Sequence, residues 1–140
     1  MHQIVYISSA RQEFPTSDLK KLLVGARMRN SAVGVTGMLV FHDGTFLQAL
    51  EGENRAVNEI FASIQTDPRH GNLTVLHRGP GPEQRVFGEW SMGFADFSGA
   101  AAILKGFVRV NGNLNLKDLD RTRAIDFLTA CEDDNLLRSA

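Results

Sequence analysis

The sequence predicts an α+β fold of the ferredoxin-like order β-α-β-β-α-β, with a fifth strand and a C-terminal helical extension. Three observations carry that prediction. Strand-like runs alternate with amphipathic helical stripes in this order. A short glycine-containing turn joins the second and third strands. The third strand, "TFLQALEG" (45–52), is apolar on both of its alternating faces yet carries a glutamine at its centre. In this topology the first and third strands are neighbours in mid-sheet and both helices lie on one face. Tyr6 and Gln48 are then expected side by side, pointing into the crevice between sheet and helices.

Each element has its own signal. "QIVYISS" (3–9) is rich in β-branched residues and reads as a strand. A helix over about 17–29 follows from the stripe Leu19, Leu22, Leu23 and Ala26, with Thr16 or Ser17 available as cap and Asp18 in the first turn. "VGVTGMLVF" (33–41) is the second strand, its glycines permitting a bulge or a close backbone approach. "HDGT" turns it back into the third strand as a hairpin. Val57, Ile60, Phe61 and Ile64 mark the face of a second helix, which Pro68 ends because proline disfavours helical geometry in the residue before it. "LTVLHR" (73–78) and "WSMGFADF" (90–97) are the fourth and fifth strands. Glycines at 99, 106 and 112 weaken any element across 98–110, and a clearer helix spans about 116–131. Its Ala124, Phe127, Leu128 and Cys131 have the spacing of a buried face, so the cysteine reads as packing and not as a reactive thiol.

Bulk properties exclude several classes. A chain of 140 residues with 43% hydrophobic and 22% charged residues is an ordinary globular protein with room for a core. Its formal net charge of −1, with basic residues scattered among acids, gives no electrostatic case for nucleic acid. One cysteine excludes an internal disulfide and a cysteine-based zinc site. "MHQIVYISSA" lacks the basic start of a signal peptide, and no apolar run approaches the ~18 residues that span a bilayer. No membrane is expected, and the expected location is cytoplasmic. No linker divides the chain, so 1–97 and the helical cap 98–140 are expected to form one compact unit.

Common catalytic signals are missing. There is no GxxxxGK[ST] loop and no GxGxxG between strand and helix, and the four histidines lack metal-ligand spacing. The serine of "EWSMG" lacks the glycine that a nucleophile elbow has two residues earlier. What remains is a set of unusual residues at strand centres and helix ends: Tyr6, the only tyrosine, Trp90, the only tryptophan, and Gln48, Met92 and Asn30. Each has a structural alternative. Tyr6 is explained by a core phenol bonded to a carbonyl, Trp90 and Met92 by packing, Asn30 by a helix end, and Gln48 by backbone bonds. Together they describe a phenol and two amides in one crevice, which suits a planar heteroaromatic ligand with polar edges.

The segments "IVYISSA", "RNSAVGVTGMLVFHDGTFLQALEG", "DPRHGN" and "FGEWSMGF" agree in order and spacing with one family. Over residues 2–96 the chain resembles a BLUF domain, a blue-light sensor that binds flavin non-covalently. The tail resembles the two-helix cap of short, stand-alone members. The resemblance implies FAD or FMN as cofactor and a reversible red-shifted signalling state. It implies that Tyr6 donates an electron and a proton to the excited flavin, and that Gln48 lies between that tyrosine and the flavin N5/O4 edge. Asn30 is implied to bond the carbonyl and ring N–H edge, and Trp90 and Met92 to form the fifth-strand pair whose position tracks signalling. Asp67, Arg69 and His70 are implied to line the ribityl chain and outer ring. Arg29 replaces the asparagine or histidine of many members, where it can stack on flavin, reach its phosphate or face solvent. Ser63 stands where some members have an arginine.

A receptor with no effector domain on the chain is expected to signal to a separate downstream protein and to self-assemble. Two other readings stay open at this level. One is an enzyme on the same fold, such as a small phosphatase or a flavin-dependent oxidoreductase. The other is an interaction domain whose strand polars are purely structural.

Overall fold

The computed structural model describes residues 1–11, 13, 16–42, 44–88, 93–96 and 116–133, with backbone alone at 16, 93–96 and 130–133. The β-branched opening run forms β1 (His2–Ala10), and the leucine stripe winds into α1 (Thr16–Ala32). β2 (Thr36–His42) and β3 (Thr45–Gly52) pair as a hairpin whose turn places Gly44 at φ 74°, a conformation glycine adopts without a Cβ penalty. α2 (Asn54–Gln65), β4 (His70–Pro80) and β5 (Gly93–Asp96) follow. A 3-10 turn at Leu116–Asp118 precedes α3 (Arg121–Asp133).

The sheet runs in the order β4-β1-β3-β2-β5. Its pairs are antiparallel except β2 with β5, which is parallel. The expected ferredoxin-like arrangement with an added fifth strand is present. β1 and β3 are central neighbours, and Tyr6 stands directly opposite Gln48.

Both faces of the sheet are covered, which explains the doubly apolar β3. On one side Ile4, Tyr6, Leu39, Phe46 and Leu50 pack with Leu19, Leu23 and Ala26 of α1 and with Val57, Ile60, Phe61 and Ile64 of α2. On the other, Val5, Ile7, Met38, Val40, Leu47 and Ala49 meet Phe87, Leu116, Leu119, Ala124, Phe127 and Leu128. The C-terminal segment therefore forms the third layer.

Several boundaries differ from the sequence reading. Residues 33–35 close α1 instead of starting β2. The Asn30 carbonyl accepts from Val33 N at 3.2 Å and Val35 N at 2.9 Å, with Gly34 left-handed at φ 70°. Of the bulge or close backbone approach that the β2 glycines permit, the close approach is present, with the Gly34 carbonyl 3.2 Å from the Cβ position of Gly52. β2 and β3 stay in register, whereas β1 and β4 slip at Val5/Tyr6 and at Ile7/Ser9. β4 is longer than 73–78, and Asn72 within it adopts φ 51°. The last helix starts at Arg121 and not at 116, because Asp120 caps it: its Oδ1 accepts from Arg123 N at 2.9 Å. The segment 98–110, Trp90, Met92 and the side chain of Cys131 lie outside what is described.

One polar cluster ties the connection after β4 to the sheet. Glu51 is 0% exposed, and its carboxylate accepts from Val86 N at 2.9 Å, Phe87 N at 2.5 Å and the Thr36 hydroxyl at 3.1 Å. Arg85 completes the clamp, donating to Thr36 Oγ1 at 2.8 Å, the Glu51 carbonyl at 3.2 Å and the Gly34 carbonyl at 2.8 Å. A buried charge needs such partners. The approach to β5 is thereby fixed to β3 and to the end of α1.

Candidate functional site

The crevice between the sheet and α1 opens into a cavity of about 330 Å³. That is within the size range of small-molecule sites. The sheet supplies Tyr6, Leu39, Phe46 and Gln48 as one wall, and α1 supplies Lys21, Leu22, Gly25, Ala26 and Arg29 as another. Ile64 and the α2–β4 connection, with Asp67, Arg69 and His70, close a third side. These three sources meet because β1 and β3 are adjacent and both helices cover the same face.

Tyr6 and Gln48 share the centre of the sheet wall. The Tyr6 hydroxyl donates to Gln48 Oε1, which gives a buried amide (4% exposed) a partner within the protein. Without bonds, burying that group would cost roughly 2–7 kcal/mol, depending on the reference state. Burial pushes the Tyr6 phenol well above its ordinary value near 10; nearby Arg29 works against the shift and Asp67 with it. The phenol is therefore neutral and a committed donor. With Oε1 occupied by that proton, the NH₂ group is the donor end of Gln48.

The polar rim is built from short loop geometry. Arg69 forks onto Asp67, with Nη2 to Oδ2 at 2.6 Å and Nε to Oδ1 at 3.0 Å. That hydrogen bonding holds the Asp67 carboxyl below the usual carboxylate range. His70 bridges two elements: Nε2 lies 2.7 Å from the Ile64 carbonyl and Nδ1 lies 2.7 Å from Ser8 Oγ. Since a carbonyl only accepts, Nε2 carries a proton, and Nδ1 is hydrogen-bonded to the Ser8 hydroxyl. Arg29 lines the cavity near its exposed end, and desolvation lowers its guanidinium from the ordinary value.

The sequence profile of the BLUF family, described as sensors of blue-light using FAD, matches residues 1–93. The chain belongs to the BLUF family. Photoactivated adenylate cyclase subunit beta of Euglena gracilis is 35% identical over 89 residues, which is 64% of this chain and 10% of that protein. The blue light- and temperature-regulated antirepressor BluF of Escherichia coli (strain K12) is 34% identical over 93 residues, 66% of this chain and 23% of that protein. The chain thus spans about a tenth of the length of the cyclase subunits it matches. Among solved structures, BlsA in its ground state superposes with a TM-score of 0.77 at 28% identity, covering 99% of this chain and 89% of that one. The dark-state structure of the BLUF protein BlrB gives 0.64 at 32% identity over 68% of this chain and 71% of that one. BLUF domains bind flavin.

The residues present fit that BLUF cofactor. Leu22, Ala26, Leu39, Phe46 and Ile64 give apolar surface around a phenol and an amide, with Lys21, Arg29, Asp67, Arg69 and His70 as polar groups. That suits a planar ring with polar edges and a polar side chain. Gly25 adds a second indication. It lies inside α1, where glycine is about 1 kcal/mol worse than alanine, yet among the described residues a Cβ there would meet nothing within 4 Å. The space beside it is cavity.

Of the residues singled out from sequence, Tyr6, Gln48, Arg29, Asp67, Arg69 and His70 line this one cavity. Asn30 is not among the residues that line it and is fully buried in the last turn of α1. Ser63 is outside it, on α2 with its hydroxyl 3.4 Å from the Glu59 carbonyl. Sequence reasoning missed Gly25 and Lys21, although with Arg29 they repeat at i, i+4 and i+8 along α1. It also missed the Ser8–His70 bond, which no periodicity announces.

Proposed function

We propose that this chain is a reversible blue-light receptor in which Tyr6 and Gln48 are the photochemical pair. The observation that carries the reading is the buried hydrogen bond from the Tyr6 hydroxyl to Gln48 Oε1 at the wall of the flavin-sized cavity. Bound flavin supplies blue-light absorption and a photoexcited electron acceptor. Everything else belongs to the chain. Tyr6 holds its proton in the dark because its phenol is buried, and it is placed to release an electron and then that proton. Gln48 presents acceptor and donor at opposite ends of nearly one shape, so rotation or tautomerisation exchanges them without repacking the wall. Glutamate, when ionised, only accepts and cannot make that exchange. Return of both the electron and the proton to Tyr6 restores the dark arrangement, and nothing is consumed.

The remaining roles follow the same reading. Asn30 holds the carbonyl edge of the ring, Asp67, Arg69 and His70 bound its outer part, and Arg29 faces the phosphate side. The cofactor is FAD or FMN, since the cavity addresses the ring that both contain. Trp90 and Met92 carry the change to the C-terminal segment. The output is contact with a separate downstream protein in the cytoplasm, through self-association or a change in it, and not turnover of a substrate. A light-dependent output requires the C-terminal segment to have two arrangements that the two pocket states favour differently.

A visible absorption spectrum recorded in the dark, after blue light and after renewed darkness tests this. A flavin spectrum that shifts slightly to the red and returns without bleaching is the expected result. Bleaching under light would replace the receptor with a redox enzyme. A chain that stays colourless after addition of FAD and FMN would leave Gln48 an ordinary buried amide.

A further inference from the structure

Helix α1 carries a feature that the photochemical pair does not explain. Gly25 is at the middle of the cavity-facing stripe, with Lys21 and Leu22 before it and Ala26 and Arg29 after it, all lining the same space. A glycine inside a helix is ordinarily explained by another segment packed against its backbone or by a backbone angle that only glycine tolerates. Neither holds here. Among the described residues nothing lies within 4 Å of where its Cβ would be, and its backbone is ordinary helix. By contrast, Gly52 has the Gly34 carbonyl 3.2 Å from its Cβ position, and Gly34 itself is left-handed. Those two glycines serve the protein's own backbone.

We propose that Gly25 is the packing surface for the flavin ring, so that the missing side chain sets how closely the ring approaches α1. This rests on the flavin reading of the cavity and assigns a role within it. The opposite wall is Tyr6 and Gln48 on the sheet, whose position the β1–β3 register fixes. A side chain at 25 narrows the gap between helix and sheet from the helix side. It leaves the polar groups in place and removes room for the ring.

The test uses the full chain prepared free of flavin, as parent, Gly25→Ala and Gly25→Leu, each melted without ligand and then titrated with FMN. In flavin-free protein Gly25→Ala melts at or a few degrees above the parent, because alanine favours the helix and meets no neighbour. FMN affinity falls roughly tenfold with alanine and roughly a hundredfold or more with leucine, as overfilling a close-fitting site does. Gly25→Leu that folds and binds FMN within about twofold of the parent would overturn the assignment. So would a lower melting temperature of flavin-free Gly25→Ala, since the glycine would then serve the protein itself. If leucine prevents folding, the alanine variant decides alone. A parent that binds neither FMN nor FAD would instead remove the flavin reading, a distinguishable result.

Discussion

Tyr6 is the residue where burial, charge and chemistry meet, and the chain contains no other tyrosine. Its phenol is raised above the ordinary value of 10 by desolvation. The folded state therefore prefers the protonated form more strongly than the unfolded state does. That preference is fully present below the unfolded value near 10 and is lost as pH rises towards the folded value. On alkaline titration, tyrosinate absorption is expected only with unfolding, and a Tyr6→Phe chain should lose part of the stability decline above pH ~10. Tyrosinate forming at ordinary pH in folded protein would contradict the burial argument. Replacing Gln48 tests the other half of the pair. Gln48→Leu leaves the Tyr6 hydroxyl without this acceptor and should destabilise the flavin-free chain by about 1–3 kcal/mol, measured by urea unfolding. Gln48→Leu should also abolish the reversible red shift, and a normal shift in that variant would remove the amide from the mechanism.

At the scale of elements, Glu51 shows what the pattern of a strand conceals. In "TFLQALEG" both Gln48 and Glu51 interrupt an apolar run, and period two puts them on opposite faces. Gln48 was legible because the topology sets it beside Tyr6. Glu51 was not, because its partners Val86 N and Phe87 N are backbone groups some 35 residues away, and a backbone N–H leaves no trace in sequence. The same logic separates what was legible elsewhere. The stripes of α1 and α2 follow from periodicity and the central β1–β3 pair from the ferredoxin-like order of elements, and the structure reproduces them. The end of α1 at Gly34, the cap at Asp120 and the β1–β4 bulges depend on single backbone angles and one side-chain bond. Glu51→Ala should destabilise the chain by about 3–5 kcal/mol, the cost of breaking a buried charged network, with Glu51→Gln in between because the amide keeps one acceptor. Equal urea midpoints for the three proteins would mean that the clamp contributes nothing.

For the whole molecule, the sheet lies between two packed layers. Tyr6 points into the cavity side, while its neighbours Val5 and Ile7 pack on the opposite side with the C-terminal segment. Leu47 and Ala49 flank Gln48 in the same way. Residues of β1 and β3 thus border the cavity on one face and share an apolar cluster with the C-terminal segment on the other. The apolar outer face of β3 foretold a covering layer, although periodicity alone did not say which helix would supply it. We expect 1–97 and 98–140 to behave as one cooperative unit. Phe127, Leu128 and Leu116 are buried against the sheet, and each such side chain contributes roughly 1.5–3 kcal/mol on burial. Their sum is comparable with the ~5–15 kcal/mol total stability of a domain. A chain ending at residue 97 should therefore expose Val5, Val40 and Leu47, bind a hydrophobic dye and either unfold or associate. Full-length protein should instead melt in one transition, seen alike by far-ultraviolet dichroism and by the flavin. A truncated chain that stays monomeric with the parent's melting temperature would make the C-terminal segment a separate module. The route from pocket to output would then have to bypass the sheet.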